Sequence, residues 1–468
     1  MNLKITEKIK SDELLNKITA NFDNEIYLVG GAVRDILMDK SSHDRDLIVM
    51  DEDARSFSLK LAEFFDATFV PLDEENKIYR LVMKDKINYL DITNPQGGSV
   101  EKDLMRRDLT INAIAVNLRT LKIVDMCGGI SDIKNGCINC ISEHNFEDDP
   151  LRILRAYRFQ AQTGFNLSEQ TIHAVVKYLP LIKKPAVERI NYEIMHLFSG
   201  DYAHKALKNM QKTWLLEEIF PIAKELKQVP PNSHHHLCLL EHSIETVKQI
   251  TELYNNSSDE VKAHMNSIDF GGYSRLAHLR LAGFLHDIGK FSTWTIEEDT
   301  GRHRFIKHDD VGAKMSIGLL KKLCFSNKQI EYISSMIKNH IYPSHVMSAP
   351  EINEKIMMRY VRKLENNSID EIILAQADRL SARGPAITDE IVENNINSLN
   401  RLMNFYLSVR NSLEPLPKLI DGNEAMKILN LKPSPTLGKI LDALKDAQIS
   451  GDVTTKDEAV NFIKNYKV

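Results

Sequence analysis

Asp44 and Asp46 stand one residue apart, shortly after a stretch, 27–35, that contains Gly30, Gly31, Arg34 and Asp35. In an extended strand, residues i and i+2 point to the same face, so both carboxylates can project into one cleft and share divalent ions. That arrangement suits nucleotidyl transfer. Two Mg²⁺ ions, typically about 3.5–4 Å apart, activate an attacking hydroxyl, steady a leaving pyrophosphate and neutralise charge on phosphorus. Gly30 and Gly31 close the apolar run 26–29, and without side chains they let backbone N–H groups of a turn or helix start approach a triphosphate. Each signal alone is weak, because most Gly-Gly pairs only join a strand to a helix and most Asp-x-Asp pairs are solvated loop residues. Their order within one short unit points to catalysis.

The stretch 106–115 sets Arg106, Arg107 and Asp108 against a run of apolar and small residues around Asn112. Arginine offers a rigid fork of donors suited to phosphate, and an adjacent aspartate can accept hydrogen bonds from ribose hydroxyls. The competing reading is an N-capped helix with an exposed basic first turn. Further on, Asp148 and Asp149 precede Pro150, and Arg152, Arg155 and Arg158 recur at i, i+3 and i+6. This predicts a helix start with three arginines on one side, beside apolar Ile153, Leu154 and Phe159. Such a stripe suits nucleotide or nucleic-acid phosphates better than a solvated face.

Over residues 25–200 these stretches resemble the motif series of the bacterial class II CCA-adding enzyme and poly(A) polymerase family, the tRNA nucleotidyltransferases. The resemblance implies that Gly30, Gly31, Arg34, Asp35, Asp44 and Asp46 bind triphosphate and Mg²⁺, and that Arg107, Asp108 and Asn112 read ribose and phosphates. It further implies a protein template in which Asp149 and Arg152 hydrogen-bond the edge of C or A, with the acid that precedes Asp149 shortened from Glu to Asp148. Arg189 and Glu193 resemble the neck motif that follows. A mismatched base would leave buried polar groups unpaired, at about 1–3 kcal/mol each. A third catalytic carboxylate is expected on a neighbouring strand. Asp91, in the alternating run 87–93, is the candidate, although Asn94-Pro95 stands where the family often has an arginine. The run 69–75 lies where a flexible loop distinguishes subtypes of the family.

A second constellation comprises His242, the His286-Asp287 doublet, His308, His340 and Asp378 on helix-like segments. Imidazole with carboxylate suits a transition metal, Mn²⁺, Ni²⁺, Fe²⁺ or Zn²⁺, that activates water against a phosphoester. The set resembles the HD phosphohydrolases, and the resemblance assigns His242, His286, Asp287 and Asp378 as ligands, with His308 and His340 as additional histidines of some members. Whether the centre turns over stays open. The run His234-His235-His236 reads as a loop or a helix entry that could contribute an outer ligand.

To position these groups, residues 1–140, which mix β-rich and helical runs, are expected to form an α+β nucleotidyltransferase head with a palm-like mixed sheet. An all-α neck (141–230), a helical HD body (231–410) and a small helical tail (411–468) follow. Pro230-Pro231 marks the linker into the HD region. The 468 residues allow about three domains. No apolar run approaches the ~20 residues of a membrane span, which points to a cytoplasmic protein. Five cysteines argue against a disulfide scaffold, and Cys137 with Cys140 reads as strand packing rather than zinc. The net charge of −5 gives no global nucleic-acid signature, but a basic stripe on head and neck can still bind phosphates. The expected reaction is template-independent addition of C, A or both from CTP and ATP to the tRNA 3′ end, with release of pyrophosphate. A poly(A) polymerase, or an HD phosphohydrolase whose head captures RNA, are the alternatives. Composition and spacing leave the oligomeric state undetermined.

Overall fold

The computed structural model describes residues 2–40, 44–349, 351–413 and 416–466. It divides into two compact units, Met1–Pro221 and Ile222–Val468, and each is described by itself.

The first unit is built on a seven-stranded mixed sheet: β1 (Ile26–Val29), β2 (Asp44–Val49), β3 (Thr68–Asp73), β4 (Ile78–Val82), β5 (Tyr89–Thr93), β6 (Ala115–Asn117) and β7 (Ile123–Val124). Their order is β3-β4-β5-β2-β1-β6-β7. Only the β2–β5 pair is parallel; the others are antiparallel. β2 grades from exposed to buried along its length. Leu47, Ile48 and Val49 are fully buried and anchor the strand, while Asp44 stays exposed and Asp46 half-buried. Strand alternation places Asp44, Asp46 and Ile48 on one face, where Ile48 joins Val29, Val100, Leu104, Ala113 and Ala115. Arg45 faces the other way and is tied to Asp12 at 2.8 Å and Asn88 at 3.0 Å.

The run 69–75, expected near a flexible loop, falls largely in β3. Phe69 stacks on Tyr79 of β4 at 5.5 Å, and pairing with β4 from Thr68 to Asp73, with a register shift between Pro71 and Asp73, holds the run at the sheet edge. The basic stretch after Arg106 is likewise no helix. It makes one 3-10 turn, Thr110–Asn112, and enters β6, because its apolar residues complete the sheet beside β1.

Helix α1 (Gly31–Leu37) follows β1, and α2 (Val100–Met105) precedes the basic stretch. In the neck, α3 (Leu151–Thr163) packs against α4 (Val187–Phe198). Asp149 accepts the Leu151 N–H at 3.2 Å, as a cap for α3.

The second unit is helical apart from one hairpin, Trp294–Ile296 with His303–Phe305. Its centre holds α5 (Leu239–Asn255), α6 (Arg275–Leu285), α7 (His308–Lys322), α8 (Asn327–Asn339) and α9 (Ser368–Ser381). Every residue of α6 is buried, which explains its lack of a polar face. Three C-terminal helices, Gly422–Leu429, Pro435–Ser450 and Lys456–Asn465, share their own small apolar core.

Candidate active site and a second metal centre

The cleft of the first unit is set by register. Asp46 of β2 lies directly beside Asp91 of β5, and the ligand oxygens of Asp44, Asp46 and Asp91 fall within 4.8 Å of one another. On its other side Asp46 faces Val29, so the chain turns into Gly30 against the carboxylate. A Cβ on Gly30 would stand 3.0 Å from Asp46 Oδ2 and 2.7 Å from Arg107 Nη1, and the residue has φ +71°. Glycine is thus required both by conformation and by space.

Arg80 of β4, the register partner of Asp91 on its far side, grips that carboxylate bidentately at 2.7 and 2.6 Å. It also lies 3.7 Å from Asp44. Sequence reading passed over Arg80; its one local signal is its place in the alternating strand β4. Three acidic groups sharing one cleft with a guanidinium as counter-ion form a donor set of hard oxygens suited to Mg²⁺.

Burial pushes the Asp46 carboxyl up to about 6, with Arg107 acting against that rise. Burial and neighbouring Asp91 also raise Asp44. Because the folded-state value of Asp46 lies above the ordinary 3.8, this group destabilises the ion-free fold as pH climbs from 4 through 6. Below about 6 a proton competes with the metal. The half-saturating Mg²⁺ concentration is therefore expected to rise roughly tenfold per pH unit below 6 and to flatten above 7. Mg²⁺ titrations of activity between pH 5 and 8 check this, and a flat profile would exclude it.

Around the carboxylates, Arg107 is held by Asp103 at 3.2 Å and by the Asn112 carbonyl at 3.3 Å. Arg34 donates to Asn112 Oδ1 at 2.7 Å and to Asp35 at 2.8 and 2.9 Å. Asp108 is buried. Its oxygens accept from Leu109 N, Asn112 and Arg155, the last at 2.6 Å. Burial alone would raise its carboxyl, but Arg155 outweighs that and holds it well below the usual range.

The three-arginine stripe therefore divides. Arg155 pairs with Asp108, and Arg158 is buried against Glu193 at 3.2 Å. Arg34, Arg155 and Arg158 all approach the Phe159 ring, at 4.8, 5.7 and 4.3 Å. Arg152 donates to the Asn145 carbonyl at 3.0 Å, and Asn145 Nδ2 in turn bonds the carbonyls of Met105 and Arg107. Asp149 takes Arg189 at 2.9 Å. Asp149 and Arg152 are thus fixed from behind rather than bonded to each other.

In the second unit, His242 of α5, His286 and Asp287 just after α6, and Asp378 of α9 converge. His242 Nε2 lies 3.3 Å from His286 Nε2 and 3.1 Å from Asp378 Oδ1, and His286 Nε2 lies 3.2 Å from Asp287 Oδ2. His308 and His340 approach the other Asp287 oxygen at 3.4 and 3.7 Å and each other at 3.2 Å. The Nδ1 atoms of His286, His308 and His340 sit 2.8, 2.8 and 2.6 Å from backbone carbonyls. A carbonyl only accepts, so each of these rings keeps a proton on Nδ1 and turns Nε2 inward, where its lone pair is available to an ion whenever the ring is neutral. Facing lone pairs such as those of His308 and His340 repel unless a cation lies between them, and of the two buried Asp287 oxygens Oδ2 has the Lys290 ammonium at 2.6 Å while Oδ1 has no donor. The donor set fits a transition-metal centre. Burial opposes charge on His286, yet Asp287 and Asp378 prevail and push it up to about 10. The pocket thus attracts positive charge. Lys290, 2.6 Å from Asp287, supplies some.

The paired cysteines form no such group among the described residues. Cys137 begins a short strand and Cys140 is buried, as expected for packing.

The family domains that match this chain span the residues of both groups. Residues 26–139 match the poly A polymerase head domain, 164–227 the probable RNA and SrmB-binding site of polymerase A, and 239–383 the HD domain. The A-adding tRNA nucleotidyltransferase of Deinococcus radiodurans is 30% identical over 451 residues, covering 94% of this chain and 95% of the relative. The CC-adding tRNA nucleotidyltransferase of Thermus thermophilus is 28% identical, with 94% and 93% covered. The solved Thermotoga maritima CCA-adding enzyme, complexed with tRNA, superposes with TM-score 0.55 over 98% of each chain at 19% identity, a likeness of fold. An α+β head on a mixed sheet followed by helical domains is the architecture these folds share. Aligned along nearly its whole length with relatives of one enzymatic class, the chain belongs to the tRNA nucleotidyltransferase and poly(A) polymerase family.

Proposed function

We propose that this enzyme adds C, A or both from CTP and ATP to the 3′ end of tRNA, releasing pyrophosphate. The observation that carries the reading is the convergence of Asp44, Asp46 and Asp91 in one cleft closed by Gly30. Asp44 and Asp46 would hold Mg²⁺, with Asp91 as the third catalytic carboxylate. Bound there, Mg²⁺ supplies activation of the attacking hydroxyl and neutralisation of charge on the transferred phosphoryl group. Gly30, Gly31, Arg34, Arg107 and Asn112 would receive triphosphate and ribose. Asp149 and Arg152 would present acceptor and donors to the base edge, held rigid by Arg189 and Asn145. Asp108 of the head and Arg155, Arg158 and Glu193 of the neck neutralise one another, so their part in nucleotide binding is to set the position of that surface.

The same reading divides the chain into head (1–140), neck (141–230), HD body (231–410) and tail (411–468), and places it in the cytoplasm. Among the described residues no helix is long and apolar enough to cross a membrane. In the HD body, His242, His286, Asp287 and Asp378 would hold Mn²⁺, Ni²⁺, Fe²⁺ or Zn²⁺ for phosphoester hydrolysis. His308 and His340 offer a second position that shares Asp287.

Relatives aligned along 94% of the chain carry the names A-adding and CC-adding tRNA nucleotidyltransferase, which favours a division of labour over complete CCA synthesis. The test is incorporation of labelled CTP and ATP, separately and together, with Mg²⁺. The acceptors are tRNA ending before CCA, after the first C and after CC, with an unrelated RNA alongside. Incorporation confined to one or two of the tRNA acceptors is expected. Full CCA on the shortest tRNA would refute the division of labour, tails on the unrelated RNA would indicate a poly(A) polymerase, and no incorporation would overturn the proposal.

A further inference from the structure

His235 lies in a short loop that crosses the HD centre. The loop is built by Asn232, whose backbone N–H donates to the His235 carbonyl at 2.8 Å and whose Oδ1 accepts the N–H groups of His234 and His235 at 2.9 and 3.1 Å. It is strapped to the chain just beyond α9, the helix that carries Asp378. Gly384 N–H donates to the His234 carbonyl and Ala386 N–H to the Ser233 carbonyl, both at 2.8 Å. The approach is close enough that a Cβ on Gly384 would stand 2.4 Å from the His234 carbonyl carbon and 2.5 Å from the Ser233 oxygen.

The strap delivers the His235 ring edge-on to His242, with centroids 4.7 Å apart and an interplanar angle of 88°. Ligand atoms of His235, His242, Asp287 and Asp378 all lie within 4.8 Å of one another. Two ligands on opposite sides of one ion are separated by about 4–4.6 Å, so a single ion can be shared by this group. His235 also repeats the ring chemistry of the inner histidines. Its Nδ1 lies 3.3 Å from Asn232 Oδ1, an oxygen that accepts, which leaves Nε2 as the bare lone pair. His234 differs: its ring is exposed and its Nδ1 faces the Ser233 hydroxyl at 3.0 Å.

Resting on the reading of this centre as a metal site, we propose that His235 is a further ligand of the HD ion. It is supplied by the strap rather than by the helical frame, so that metal binding fastens the 232–236 loop to the segment after α9. The ion would then be held by an imidazole outside the expected set, beside His242, Asp287 and Asp378.

The experiment is titration of the metal-free full chain with Co²⁺, reading the visible d–d absorption together with bound metal per chain. His235→Ala and His235→Gln should weaken Co²⁺ binding by at least the roughly 10-fold that loss of even an outer-shell partner brings, and should change the absorption spectrum. His234→Ala should do neither. Gly384→Ala, which pushes the strap away without touching a ligand, should reproduce the weakening. Nucleotide incorporation by the head should stay at the wild-type level in all four. Binding and spectrum unchanged in both His235 variants would refute the role of His235 while leaving the metal centre standing. A wild-type chain that takes up no Co²⁺ would overturn the metal reading itself and this inference with it.

Discussion

Asp46→Asn is expected to lower nucleotide incorporation by at least about 10³-fold, the loss of several kcal/mol of transition-state stabilisation that a catalytic divalent ion provides. Asn keeps the size of the side chain and one oxygen, but it cannot neutralise an ion, and the half-buried position beside Asp91 admits no substitute carboxylate. Asp44→Ala should act in the same direction. Since burial already raises the Asp46 carboxyl to about 6, the neutral amide should leave the ion-free fold at least as stable as wild type at pH 8. Lost activity with an unchanged or higher melting temperature is the combined signature. Incorporation assays beside thermal melts decide it; turnover within tenfold of wild type would remove Asp46 from the catalytic set.

The largest effect on stability is expected in the second unit, at Arg275. Asp370 is completely buried there. Its two oxygens take Arg275 at 3.1 Å each, His264 at 2.7 Å and the Tyr332 hydroxyl at 2.6 Å, while Arg275 also reaches Asp269 at 2.7 Å. Arg275 comes from α6, Tyr332 from α8 and His264 from the helix Asp259–Met265, while Asp370 itself lies on α9, so one carboxylate joins four helices of the frame around the HD centre. Arg275→Ala leaves Asp370 without its guanidinium in the interior, and breaking a buried pair in this way costs about 3–5 kcal/mol. In a unit of this size that corresponds to a fall in Tm of roughly 10 °C or more. Removing both charges, as in Arg275→Met with Asp370→Leu, should recover much of the loss, because no orphaned charge remains. A single variant that melts within 2 °C of wild type would show that His264 and Tyr332 suffice.

What could be read from the sequence follows a physical rule. Features within a few residues of each other were visible, and features made by pairing distant segments were not. The i, i+2 rule placed Asp44 and Asp46 on one face, and the alternating run 87–93 identified Asp91, which β2–β5 pairing brings beside Asp46. Arg80 escaped notice because its relation to Asp91 exists only across the β4–β5 register. The arginine stripe of α3 was read correctly as a stripe, but its occupants were not. Asp108 lies 47 residues from Arg155 and Glu193 35 residues from Arg158, and no local spacing announces such partners. The histidines and carboxylates of the HD centre were recognised from their order, whereas the placement of His235 depends on a strap fixed by Gly384, far along the chain.

The grip of Arg80 on Asp91, at 2.6 and 2.7 Å, also bears on how the enzyme idles. Three acids pressed together with no positive charge nearby would push one another apart, and a palm assembled that way would hold its shape only while loaded with ions. A guanidinium that never loses its proton stays in the cleft as a permanent placeholder. If the cleft holds Mg²⁺ as proposed, the head would be emptied and refilled as free magnesium rises and falls, falling silent without unravelling. For such an enzyme, starvation for the ion is a pause and not damage.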